Sequence, residues 1–98
     1  MGIFGLMSYV VVQTKDDLLA EAAKHAPLVY RILNLSLSMS RLEARLHGLS
    51  EWEEWKRTRQ QGDRIWPFIF NRDTLAMRRG YVIMRGGAPH EVILTEVS

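Results

Sequence analysis

The longest regular pattern of apolar side chains lies between residues 28 and 49. Its members recur at alternating spacings of four and three residues: Leu28, Ile32, Leu35, Met39, Leu42, Leu46 and Leu49. Such spacings place side chains along one stripe of an α-helix, and sustained repeats are typical of paired helices. The pattern predicts one continuous helix of roughly 20 residues, about 30 Å long.

The environment of this stripe changes along its length. Neighbouring side chains are mostly apolar in the first half, whereas serine, arginine and glutamate surround the second half. The first half should therefore be buried, while the second half packs either inside the domain or on the same helix of a second copy. For the second alternative, the candidate dimer-interface residues are Leu35, Met39, Leu42, Leu46 and Leu49.

Two elements are predicted before the stripe. Residues 8–13 contain a β-branched run, which is typical of a strand covered on both faces. Thr14 is a suitable N-cap for a helix, because acidic residues follow in its first turn, and Pro27 bends or ends that helix. Residues 1–7 are apolar but lack the basic start of a signal peptide, so we expect a flexible or docking N-terminal arm.

After the stripe, helical spacing gives way to strands. Ser50 and Glu53 fit a capping box that opens a helix ending near residue 61. Three strands follow, at residues 65–70, 81–84 and 91–97. Pro67 confines the first strand to a sheet edge or a bulge, and a short helical stretch is expected between residues 71 and 79.

These elements define a fold class. The order β-α-α-α-β-β-β predicts a single α+β domain over residues 1–98, with a small three- to four-stranded, mostly antiparallel sheet and helices packed on one face. The length of 98 residues and the hydrophobic content of 47% agree with one small globular domain. No apolar stretch is long enough to span a membrane, so we expect a cytoplasmic protein.

Composition excludes the commonest chemistries. The chain has no cysteine, which removes disulfide scaffolds, thiolate metal sites and cysteine nucleophiles. Its three histidines, His25, His47 and His90, fall on separate predicted elements, and neither a nucleophile elbow nor a phosphate-binding glycine loop is present. The sequence predicts no catalytic or metal-ligating residue, no cofactor and no small-molecule ligand.

Basic residues give the one charge pattern of interest. The candidates for nucleic-acid contact are Lys56, Arg57, Arg59, Arg64 and Arg79. Tryptophans lie near them in sequence, and arginine with aromatic neighbours suits phosphates and stacked bases. Glutamates at 51, 53 and 54 interrupt the positive field, and the net charge is only +2. A solvated face of ion pairs is therefore the alternative interpretation.

Two functions follow from these patterns. The first is a non-enzymatic interaction protein, a small regulator or assembly factor, that forms a homodimer through the apolar stripe. The second is a small basic toxin of a toxin–antitoxin pair that acts on RNA or the ribosome. The element order resembles that of such toxins, which implies that arginine and lysine side chains polarise a phosphate and that Tyr81 or His90 moves a proton; Arg79 is the residue whose substitution tests this.

Overall fold

The computed structural model describes residues 11–72 and 74–97. Within these residues the chain forms four helices followed by three strands. They are α1 (Lys15–Lys24), α2 (Leu28–Leu33), α3 (Met39–Leu46), α4 (Ser50–Thr58), β1 (Arg64–Phe70), β2 (Arg78–Arg85) and β3 (Ala88–Val97). The predicted α+β class and the helix-then-strand order are confirmed. None of the described helices is long and apolar enough to cross a membrane.

The three strands form one antiparallel sheet in the order β1-β2-β3. Trp66 of β1 lies opposite Val82 of β2, which lies opposite Val92 of β3. β1 is an edge strand, as Pro67 predicts, because proline cannot donate to a second ladder. The pairing of β2 with β3 is interrupted beside Gly80, where an added Cβ would lie 2.0 Å from the carbonyl oxygen of Ile93. Only glycine fits that close approach.

Helices cover both faces of the sheet. Successive strand residues point to opposite faces and fall into two core clusters. On one face, strand residues pack on Ala22 and Ala26, at and just beyond the end of α1: Trp66, Phe68, Phe70, Val82, Met84 and Val92. On the other face, strand residues pack on α3 and α4: Ile65, Tyr81, Ile83 and Ile93. This differs from the one-face packing expected from sequence, because the central strand is apolar on both sides.

The predicted continuous helix from 28 to 49 is wrong. α2 ends at Leu33, and Asn34 follows in the left-handed conformation with φ of 54°. Residues 35–38 then run along the edge of β1, where the backbone N–H of Leu37 donates to the carbonyl of Ile65 at 3.3 Å. The hydroxyl of Ser36 accepts from the N–H of Ile65 at 3.1 Å. These bonds to an open strand edge replace helical ones.

Other helix boundaries differ less. Thr14 caps α1 by accepting from the N–H of Asp17 at 3.1 Å, as predicted. α4 begins after Leu49, and Glu53 reaches back to the N–H of Gly48 at 3.2 Å instead of that of Ser50. α4 also ends earlier than predicted, at Thr58.

The remaining two expected elements have different outcomes. The predicted strand at 8–13 lies mostly outside the described residues, and its described part, 11–13, has no regular structure. The N-terminal arm at 1–7 lies outside them as well. The short helix expected between 71 and 79 is absent from the described residues, which form turns up to Met77 before β2 begins at Arg78.

Candidate functional site

The most unusual surface lies on α2, where none of the six side chains is buried by the described part of the chain. We define the α2 face as Leu28, Val29, Ile32 and Leu33, whose exposed fractions run from 47% to 68%. At 100° per residue these four side chains span an arc of roughly 140°. Tyr30 points away from this arc and packs, half-buried, against the core. Contiguous exposed apolar surface of this kind usually marks an interaction site.

The predicted dimer-interface residues are divided between the core and the surface. Leu42 and Leu46 are at most 1% exposed and pack on the tryptophans of α4 within the same chain. Leu35, Met39 and Leu49 are between 36% and 42% exposed. The prediction that the first half of the stripe is buried is wrong for the described residues, because Leu28 and Ile32 are 59% and 68% exposed.

Lys56 of α4 holds an exposed ion-pair network with α3. Its Nζ donates to Glu43 at 2.7 Å and lies 3.2 Å from Glu53. The hydrogen bond from Lys56, followed by that from Trp52, lowers the pKa of Glu43 to about 2. His47 lies 3.1 Å from the second oxygen of Glu43. Glu43, His47 and Glu53 are close enough to share a cation. The ammonium of Lys56 already contacts both carboxylates, so the arrangement is an ion-pair network.

Three further basic candidates lie at the end of α4 and on β2. Arg57 pairs with Glu54 on the surface of α4. Arg79 of β2 pairs with Glu96 of β3 at 3.2 Å. Arg59 follows α4 and has no ion pair or hydrogen bond among residues 11–72 and 74–97. Carboxylates thus partly offset the charge of Lys56, Arg57 and Arg79, and contact of the five candidates with nucleic acid stays a prediction.

One cleft brings together Arg79 and Tyr81, which the toxin hypothesis singles out. It has a volume of about 680 Å³ and is also lined by Pro67, Ile69 and Arg45. Nη1 of Arg45 donates to the hydroxyl of Tyr81 at 3.1 Å. His90, the other proposed proton carrier, is not among the residues that line this cleft.

A second cleft, of about 630 Å³, contains three arginines from three different elements. We call it the arginine cleft and define it by Arg31, Asn34, Gln60, Gln61, Arg64 and Arg85. The apolar side chains that line it belong to Trp66 and Met84. The turns before β1 and between β2 and β3 form two of its walls, and their glycines have positive φ values. The cleft thus combines charge, carboxamides and an apolar surface.

Asp63 fixes one of these arginines. Its two carboxylate oxygens accept from Nε and Nη2 of Arg85 at 3.0 and 2.9 Å. The same carboxylate accepts from the indole of Trp55 at 2.9 Å and from the backbone of Gln60 at 3.0 Å. The Arg85 guanidinium and these donors hold the pKa of Asp63 well below its ordinary value. Asp63 therefore balances Arg85 and anchors the turn before β1.

Comparison of the chain with protein-family models, with curated proteins and with solved structures finds no match. Function is therefore inferred from these surfaces alone. The sequence pattern did not point to Arg31 and Arg85 as partners of Arg64, because long stretches of chain separate the three. The usable signal was the set of glycines at 62, 86 and 87, which mark the two turns beside Arg64 and Arg85; no such signal marks Arg31.

Proposed function

We propose that this protein is a non-enzymatic interaction protein that works as a homodimer, with the α2 face as the contact. The observation that carries the proposal is the exposure of four apolar side chains on one six-residue helix. A helix this short is marginal in water on its own, so packing has to stabilise it. Within the described residues, that packing comes mainly from Tyr30 on the opposite side of the helix.

The chemistry of the face favours a second copy as the partner. Its four side chains carry no charge and no hydrogen-bonding group, so they offer no pattern that selects an unlike partner. In a two-fold contact each apolar face meets its own copy, and such dimers are the commonest oligomers. Arg31 lies outside this arc, about 60° beyond Leu28, and lines the arginine cleft.

The charges support association more than an RNA-directed activity. Lys56 and Arg57 of α4 and Arg79 of β2 each pair with a carboxylate. An RNA-acting toxin therefore stays the second prediction from sequence. It would be supported by growth arrest on expression that Arg79→Ala relieves.

The experiment is sedimentation equilibrium over a range of protein concentrations. We expect the natural chain to be dimeric and Ile32→Glu to be monomeric, because the new carboxylate would be buried without a partner. Leu75→Glu is the matched control: Leu75 is 91% exposed in the loop between β1 and β2 and receives the same charge. That variant should remain dimeric.

Two results would contradict this proposal. One is a natural chain that stays monomeric at all concentrations, and the other is equal loss of dimer in both variants. Circular dichroism checks that Ile32→Glu is folded, which is expected since Ile32 is 68% exposed.

A further inference from the structure

We propose that the arginine cleft binds a nucleotide unit, with its phosphate on Arg31 and Arg64 and its base against the carboxamides and Trp66. This site is separate from the proposed dimer contact in its chemistry. The nucleotide can be free or part of a single-stranded RNA, since both present the same phosphate and base.

The charge balance of the cleft favours an anion. Its lining contains three arginines and one carboxylate. That carboxylate, Asp63, is already bound by Arg85 through two hydrogen bonds. Arg31 and Arg64 have no ion pair with any described carboxylate. Two guanidinium charges are thus left at the cleft, and the planar donor fork of arginine suits phosphate oxygens.

Arg64 is held in place without being neutralised. Its Nε donates to the carbonyl of Asn34 at 3.1 Å, and its Nη1 donates to the carbonyl of Asp63 at 3.3 Å. Both acceptors are uncharged, so the guanidinium keeps its full positive charge. A cation fixed by backbone contacts is preorganised for a ligand, which reduces the entropy lost on binding.

The rest of the lining suits a base. The carboxamides of Asn34, Gln60 and Gln61 offer both donors and acceptors, which is what the polar edge of a nucleobase requires. Trp66 and Met84 supply apolar surface on the same side of the sheet as α1. The volume of about 630 Å³ falls within the ~300–1,000 Å³ typical of small-molecule sites.

The other cleft fits this ligand less well. It has a similar volume, but Arg79 is paired there with Glu96, so that among the described residues only one arginine of its lining, Arg45, is left without an ion pair. Its lining contains no carboxamide side chain. The arginine cleft is therefore the better match for a phosphate joined to a base.

The test is isothermal titration with two probes, adenosine 5′-monophosphate and a single-stranded RNA decamer, at fixed salt. The variants are Arg31→Gln, which removes one phosphate contact, and Gln61→Glu, which introduces a carboxylate. Each should bind about tenfold more weakly, since a charge-assisted hydrogen bond contributes about that factor. The matched control is Arg41→Gln, the same change at an exposed arginine of α3 that does not line the cleft.

Each probe has a defined meaning. Binding of the monophosphate alone identifies a free nucleotide as the ligand, and binding of RNA alone identifies a strand. Either result supports the proposal if Arg31→Gln and Gln61→Glu weaken the binding and Arg41→Gln does not. No binding of either probe at millimolar concentration would overturn it. Equal weakening by Arg41→Gln would also overturn it, because that result indicates diffuse charge attraction. Sedimentation of Arg31→Gln shows whether the oligomeric state is unchanged.

Discussion

The two halves of the apolar stripe have the same spacing of apolar residues, but one half is buried and the other is exposed. α3 buries Leu42 and Leu46 against Trp52 and Trp55 of α4, whereas the leucines of α2 remain exposed. The spacing is the same in both, so spacing alone does not decide burial. The two helices differ in what they pack against. α3 lies together with α4 against one face of the sheet, whereas α2 connects α1, on the other face, to the edge of β1.

The largest difference between the halves should appear on leucine truncation. Leu46→Ala should lower the free energy of unfolding by about 3 kcal/mol, because it leaves a cavity beside Trp52 in a fully buried site. Leu33→Ala, on the exposed helix, should change it by less than about 0.5 kcal/mol. Both are measured by urea denaturation in the Ile32→Glu background, which removes the proposed association. Equal losses would show that α2 is packed as well as α3.

The break between the halves should respond to a change at Asn34. Its φ of 54° is left-handed, a conformation that asparagine tolerates and alanine does not. Asn34→Ala should cost about 1 kcal/mol, whereas Asn34→Gly should be close to neutral. Thermal denaturation of the two variants measures this. If the Asn34→Ala variant were as stable as the natural chain, the left-handed conformation at residue 34 would not be what separates α2 from α3.

The smallest effect concerns the ion pairs that join α3 to α4 and have no counterpart on α2 within residues 11–72 and 74–97. The pKa of Glu43 is about 2 in the folded chain, below its ordinary value of 4.5. Its contribution to stability is therefore complete above pH 4.5 and is lost as the pH falls towards 2. The stability of Glu43→Gln should depend less on pH in this window. Urea denaturation of the natural chain and of Glu43→Gln between pH 2 and 6 measures this. The same pH dependence of the free energy of unfolding in both chains would contradict the expectation.

Local patterns predicted much of this fold from sequence. The three strands, the edge position of β1 and the Thr14 cap depend on neighbouring residues, and all three are confirmed. The end of α2 depends on contacts that sequence spacing does not contain. The bonds of Ser36 and Leu37 to Ile65 join residues 29 and 28 positions apart and stabilise an extended segment inside a helical pattern.

The same reasoning applies to the candidate sites. Arg64 was identified from a local cluster of basic residues, but in space it lines a cleft with Arg85, at the turn between β2 and β3, and with Arg31 of α2. The exposed α2 face was part of the predicted stripe. The sequence predicted that the first half of this stripe is buried, and that prediction is wrong for the described residues, because burial depends on how α2 packs relative to the sheet.

The most direct test of the proposed dimer uses the absence of cysteine from the chain. Ile32→Cys places one thiol on the α2 face, and Leu75→Cys places one in the loop before β2. Under mild oxidation we predict that Ile32→Cys forms a covalent dimer, visible on a non-reducing gel at dilute concentration, and that Leu75→Cys remains monomeric. No cross-link at Ile32, or cross-linking of equal extent at both positions, would contradict a dimer formed through the α2 face.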